Sequence, residues 1–164
     1  MATKEDYEAF LATVKQQTGL TMLVPDDFGL VSLRIQDEYN TNIQFIEKTG
    51  KILVFVELVA LPADAGKDVY RDLLAGCLFG VGTAGGYFSV EPQSETVIYN
   101  YLFDFDKVAA EPNEFITTLE NIISLMDVWK ERIRSKLSES EGEVMEPALP
   151  DNIMQMSRDY IIHG

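Results

Sequence analysis

Apolar residues recur along the chain in two rhythms, and the switches between them outline the fold. From Lys4 to Thr18 they fall at Tyr7, Phe10, Leu11 and Val14, the i, i+3, i+4, i+7 spacing of a helix with one buried face. Thr3 precedes this run and Asp6 follows three residues on, the pairing of a reciprocal N-terminal cap. Gly19 stands where a left-handed residue ends a helix. The rhythm then becomes strand-like. In "LVSLRIQ", Val31, Leu33 and Ile35 alternate with Ser32, Arg34 and Gln36. "TNIQFIEK" alternates less cleanly, and the polar "EKTG" leads into "KILVFVELVAL". Connections this short predict an antiparallel meander of three strands. The third strand is apolar on both sides: Ile52, Val54, Val56 and Leu58 face one way, Leu53, Phe55 and Val59 the other, broken by Glu57. Such a strand expects cover on both faces. The helices of a small α+β domain cover one, which leaves the second for another subunit, the C-terminal tail or a binding partner.

The helical period returns between Gly66 and Phe79, where Val69, Tyr70, Leu73, Leu74, Cys77 and Leu78 form a broad stripe. Gly76 lies inside it, at a cost of up to ~1 kcal/mol relative to Ala, and admits the close approach of another helix. Two further strands, "GGYFSVE" and "ETVIYNYLFDFD", flank the turn-like "EPQS", with Val97, Tyr99, Tyr101 and Phe103 on one face of the second. A long helix then starts at Pro112 and keeps its period through Phe115, Leu119, Ile122, Ile123, Met126, Trp129 and Ile133 to Leu137. At 1.5 Å per residue it reaches roughly 39 Å. The predicted class is α+β: helix, three antiparallel strands, helix, two strands, long helix, with one twisted antiparallel sheet packed by helices. Residues 1–138 form the domain. Residues 139–150, acidic and punctuated by Pro, are a linker, and residues 151–164 a tail with one short helix capped by Asp151.

Composition narrows what such a domain does. The 164 residues carry a net charge of -14. Nucleic acid binding needs clustered cations to displace counterions, so that class is disfavoured, and anionic membrane surfaces are disfavoured for the same reason. The charge fits either plain solubility or a carrier that stays soluble while holding a sticky partner. No apolar run approaches the ~20 residues of a membrane span. "MATKEDYEAF" lacks the basic start and apolar core of a signal peptide. With one cysteine, Cys77, no internal disulfide forms. These features predict a cytoplasmic protein.

Candidate chemistry is thin. In "FGVGTAGGYF", Gly80, Gly82 and Gly85 reproduce the G-x-G-x-x-G of a dinucleotide-binding turn, and Asp104 follows at about the distance of a ribose-binding carboxylate. That turn requires a strand before the glycines and a helix after them, so that a helix N-terminus meets the pyrophosphate. Here the helical stripe comes first and the strand second, which predicts a helix stop and a turn, and no cofactor. His163, the sole histidine, lies one residue from the end of the sequence, and Cys77 sits on an apolar stripe where an inert buried thiol is expected. The pairs Asp26 with Asp27 and Asp104 with Asp106 stop short of a hard-metal ligand set. The expectation is a protein with no catalytic, cofactor-binding or metal site, and hence no enzyme.

The element order, with "LTMLVPDDFGLVSLRI" after the first helix, a long apolar third strand ending in "ALP", and "VYRDLLAGCLFG" leading into "GGYFSVEPQSETVIYNYLFD", resembles the class I type III secretion chaperones, the family that includes the Tir chaperone. The resemblance spans roughly residues 3 to 138. The chain departs from it where "GVGTAGG" replaces an Asn-like residue after the second helix, and in the tail from Ser138 onward. The resemblance implies a homodimer that holds the N-terminal segment of a secreted effector in extended form, export-competent, without acting as an ATPase. An extended client pairs with a strand edge and drops alternate side chains into apolar patches. The candidate client contacts are Phe10, Leu11, Leu33, Leu53 and Phe55, and the candidate dimer seam is Val69, Leu73, Gly76 and Cys77. For each of these, a place in the chain's own core is the competing expectation. The competing function is a protein-binding or regulatory module of the same fold unrelated to secretion.

Overall fold

The computed structural model describes residues 2–139. The predicted linker and tail, from residue 140 onward, lie outside the described residues. The first helix, α1 (Lys4–Thr18), starts with the reciprocal cap read from the sequence. Thr3 Oγ1 accepts from the Asp6 amide at 3.2 Å, and the Asp6 carboxylate accepts from the Thr3 amide at 2.8 Å. It ends at Gly19, whose φ of 72° is the left-handed region open to glycine.

Five strands follow: β1 (Leu30–Ile35), β2 (Tyr39–Ile46), β3 (Lys51–Ala60), β4 (Tyr87–Glu91) and β5 (Thr96–Asp104). They form one antiparallel sheet in the order β1-β2-β3-β5-β4. The meander β1-β2-β3 comes from short connections. The last two strands form a hairpin that docks through β5, so the long apolar β3 sits at the centre and β1 and β4 at the edges. A register shift between Glu57 and Val59 bends β3.

Between β3 and β4 lies α2 (Lys67–Gly76), shorter than the stripe to Phe79 predicts. The chain leaves the helix at Cys77 and makes a tight turn over Leu78–Gly80, with Phe79 at φ 56° and Gly80 at φ 69°. The glycine run is thus preceded by a helix and followed by a strand, the order read from the sequence. A short helix that periodicity did not predict, α3 (Phe105–Ala110), joins β5 to α4 (Pro112–Glu139).

The core lies between the helices and one face of the sheet. Tyr7, Leu11, Val31, Ile43, Val54, Tyr99, Phe115 and Ile122 are among its most buried side chains. An aromatic cluster ties α1 to the sheet and to α3 and α4. Phe10 meets Phe115 and Phe105 edge-on at 5.2 and 5.9 Å between centroids, and Tyr7 stacks on Phe45 at 5.2 Å. The Tyr7 hydroxyl donates to the Ile43 carbonyl at 3.3 Å. Burial of its ring raises the phenol pKa well above its ordinary value, with the Asp26 charge adding to the effect.

Candidate functional site

With the core closed on one side, four apolar features face outward. The first is a cavity of about 460 Å³ where the end of α1, residues 20–23, the end of β1 and the first half of α4 meet. Val14, Leu23, Ile35, Phe115, Leu119 and Ile123 supply its apolar wall, and Gln36, Glu120 and Ser124 its polar rim.

The second is the connection from α1 to β1. Its two ends are pinned at the two ends of β1. Leu20 and Leu23 share the cavity with Ile35, while Asp26 Oδ1 accepts from the amides of Phe28 and Leu30 at 2.9 and 2.8 Å. The connection therefore runs back beside the β1 edge. It displays Met22, Val24 and Phe28, at 67, 62 and 87% exposure. Among the described residues, β1 pairs with β2 alone. On its second edge the Asp26 amide donates to the Leu30 carbonyl at 2.9 Å, which leaves the stretch from Val31 to Ile35 as a template for an added strand, flanked by exposed apolar side chains.

The third feature is the sheet face away from the helices. Ser32, Asn42, Phe55, Asn100 and Tyr87 stand in register across the five strands. Leu53 pairs with Leu102 and lies beside Phe55, and Ile98 follows on β5. These form an apolar centre in a polar frame: Ser32 bonds Asn42 at 2.7 Å, Asn100 bonds Ser89 at 2.9 Å, and Asn40 bonds Glu57 at 2.9 Å. Among the described residues, the strand predicted to need cover on both faces receives helices on one only.

The fourth is the outer side of α2 and the turn after it. Leu74, Leu78, Phe79 and Val81 are exposed, Leu74 at 71%. Arg132 on α4 reaches over to Asp72 with two hydrogen bonds of 2.5 and 2.6 Å, and Val128, also exposed, stands one turn before Arg132 on that side of α4.

The candidate contacts from the sequence divide sharply. Leu53 and Phe55 lie half-buried on the open sheet face. Phe10, Leu11 and Leu33 are buried in the chain's own core, so they offer no free surface in this conformation. Of the candidate seam residues, Val69 and Leu73 also turn inward. Gly76 does admit a close approach of another helix, but the helix is the chain's own α4. The Trp129 ring lies where a side chain on Gly76 would be, only 2.3 Å from an ideal Cβ. Trp129 Nε1–H donates to the Gly82 carbonyl at 2.9 Å, and the ring meets Phe88 edge-on at 4.8 Å. The Cys77 sulfur accepts from the Phe88 amide at 3.3 Å, so the thiol is turned toward β4. Sequence reasoning placed Leu74 and Leu78 on the stripe without telling its inner half from its outer half. Met22, Val24 and Phe28 it missed as site residues, although apolar side chains inside a Pro-, Asp- and Gly-punctuated connection were a legible signal.

Several charged groups beside these features are engaged structurally. Asp104 pairs with Lys51 at 2.9 Å, and that hydrogen bond holds the Asp104 carboxyl below the usual range. Tyr39 donates to Asp127 at 2.5 Å. Burial raises its phenol pKa well above the ordinary value, and the bond to the carboxylate raises it further. Lys130 pairs with Glu38 and lies over the Tyr39 ring. Among the described residues no three His, Cys, Asp or Glu side chains converge as a metal site. No described helix is long and apolar enough to cross a membrane.

The sequence model of the Tir chaperone protein (CesT) family matches residues 9–130. No curated protein sequence gives a significant match. The fold recurs in solved structures. A chain of the ExsC–ExsE complex superposes with a TM-score of 0.68 at 17% identity, covering 80% of this chain and 96% of that one. A chain of the HopA1–SchA chaperone–effector complex gives 0.61 at 18% identity, covering 80% and 95%. A chain from the Yersinia pestis type III secretion chaperone SycH, in complex with a stable fragment of YscM2, gives 0.55 at 14% identity, covering 73% and 98%.

Proposed function

The chain belongs to the Tir chaperone protein family, and from that premise we propose that it is a class I type III secretion chaperone. It binds the N-terminal segment of a secreted effector in extended form and keeps that segment export-competent. It works in the cytoplasm as a homodimer and catalyses no reaction. The observation that carries this reading is the pairing of a closed core with apolar surface the fold leaves open. The β1 edge, with Met22, Val24 and Phe28 beside it, offers backbone hydrogen bonds and apolar contacts together, which is what an extended segment requires. The cavity at the end of β1 accepts a large client side chain, and the open sheet face around Leu53 and Phe55 offers a second patch. The dimer seam is the outer side of α2, Leu74 and Leu78 with Phe79, beside the positions read from the sequence. A buried apolar seam of this kind suits a permanent dimer.

The test is purification of the tagged protein from its native cell, with partial proteolysis of whatever co-purifies. One dominant partner, protected along an N-terminal segment and lost with Phe28→Asp, supports the reading. A partner held through a folded domain, or one indifferent to Phe28→Asp, refutes it.

A further inference from the structure

The cavity between α1 and α4 lies at one end of a track that leads to the C-terminal end of α4. Ile116, Glu120, Ile123, Asp127, Lys130 and Arg134 follow one another at three- and four-residue steps, so they share one side of the helix. Ile116, Glu120 and Ile123 line the cavity, and Asp127 and Lys130 hold the β1–β2 turn through Tyr39 and Glu38. Arg134 and Lys136, in the last turns, make no ion pair among the described residues. Glu120, at the cavity rim, makes none either.

The sequence continues beyond Glu139 for 25 residues. Its first part carries Glu141, Glu143 and Glu146, opposite in charge to Arg134 and Lys136. Its last part, "NIMQMSRDYII", places Ile153, Met156, Tyr160 and Ile161 at i, i+3, i+7 and i+8, one apolar stripe, and carries one Arg, Arg158. The reach is sufficient. From Glu139 back to Leu119 is about 30 Å along the helix, and residues 140–150 fully extended span up to about 38 Å.

We propose that residues 151–162 of this chain fold back along α4 and seat their apolar stripe in its own cavity. The acidic segment 140–150 lies against the basic end of α4, and Arg158 faces Glu120. The cavity is also part of the client surface proposed above, and on that reading the tail shields it until a client displaces the tail. A tail seated nine-tenths of the time lowers apparent client affinity about tenfold.

Disulfide trapping in the full chain tests the seating without any client. Ser124→Cys and Ser157→Cys are introduced together with Cys77→Ser, and isotopically light and heavy chains are mixed before oxidation. A disulfide between positions 124 and 157 within one chain, lost when Ile153→Asp and Ile161→Asp are added, supports the proposal. No disulfide, one formed only between light and heavy chains, or one that survives the two Asp substitutions overturns it. Hydrogen exchange at residues 20–24 reads the same event without cysteines. Exchange should quicken several-fold with Ile153→Asp and Ile161→Asp, and unchanged exchange counts against seating. Because no client takes part, seating can fail while the chaperone reading stands, and the reverse.

Discussion

Replacing Gly76 with Ala puts one methyl group against the most tightly placed ring in the molecule. An ideal Cβ at Gly76 falls 2.3 and 2.4 Å from two carbons of the Trp129 ring, where apolar carbons prefer about 3.5–4.0 Å. Something must move by more than an ångström. The indole resists on three sides. Its N–H is bonded to the Gly82 carbonyl, its face is packed edge-on by Phe88, and Arg132 covers it at 4.8 Å. Overpacking of this sort costs about 1–3 kcal/mol, and loss of the indole hydrogen bond costs about 1 kcal/mol. The helix propensity of Ala returns at most ~1 kcal/mol, less at the last residue of α2. The net expectation is a loss of about 2 kcal/mol. With a urea slope of about 2 kcal/mol per molar, the midpoint falls by about 1 M. Trp129 is the only tryptophan, so its fluorescence reports unfolding from the perturbed site, at one fixed protein concentration for every variant. In a Trp129→Phe background, with unfolding followed by far-ultraviolet circular dichroism because the fluorophore is gone, the penalty should shrink by at least ~1 kcal/mol, because contacting residues couple. A Gly76→Ala protein as stable as the parent, or a penalty unchanged by Trp129→Phe, would refute the reasoning. A change in the mass of the assembly in solution instead would return Gly76 to the dimer seam.

Leu74→Asp with Leu78→Asp should convert the proposed dimer to a monomer by light scattering while leaving the circular dichroism of the fold intact; a dimer that persists moves the seam elsewhere. Phe28→Ala, at a site with no packing to lose, should change stability by less than about 0.5 kcal/mol yet weaken client capture in the same preparation. Thr3→Ala removes one half of the α1 cap and should cost about 1 kcal/mol, read as faster amide exchange in the first turn. The bonds from Thr3 lower the Asp6 pKa below its unfolded value, so this contribution is complete above about pH 4 and fades as pH falls through the folded value. A cap indifferent to acid would contradict it. At the alkaline end the sign reverses. Tyr7, Tyr39 and Tyr99 have raised pKa values, each chiefly through burial. Their contribution holds below about pH 10 and is lost as pH rises toward the folded values. Ultraviolet titration should show these phenols ionising together with unfolding, and stepwise ionisation in the folded protein would refute their burial.

Local order was written in the sequence. The capped α1, the alternation of β1 and β3, the two faces of β5 and the long period of α4 depend on neighbours within a few residues, where backbone geometry and patterning act directly. So did the absence of a strand before the glycine run, which decided against a nucleotide turn. The short α3 was hidden because six residues carry too little period to read. What the sequence left open was the direction of each apolar face. Phe10, Leu11 and Leu33 pack inside the chain and Leu53 and Phe55 do not, although all five are equally apolar. The difference comes from which side of the sheet receives α1 and α4, a choice made by the sum of contacts across 100 residues and more. The same holds for α2, whose stripe is too broad to have one inner side until Trp129 arrives at Gly76 and turns Leu74 and Leu78 to the solvent. Patterning within a segment determines that a surface is apolar. Only the packing of distant segments decides whether that surface is consumed by the fold or left for a partner.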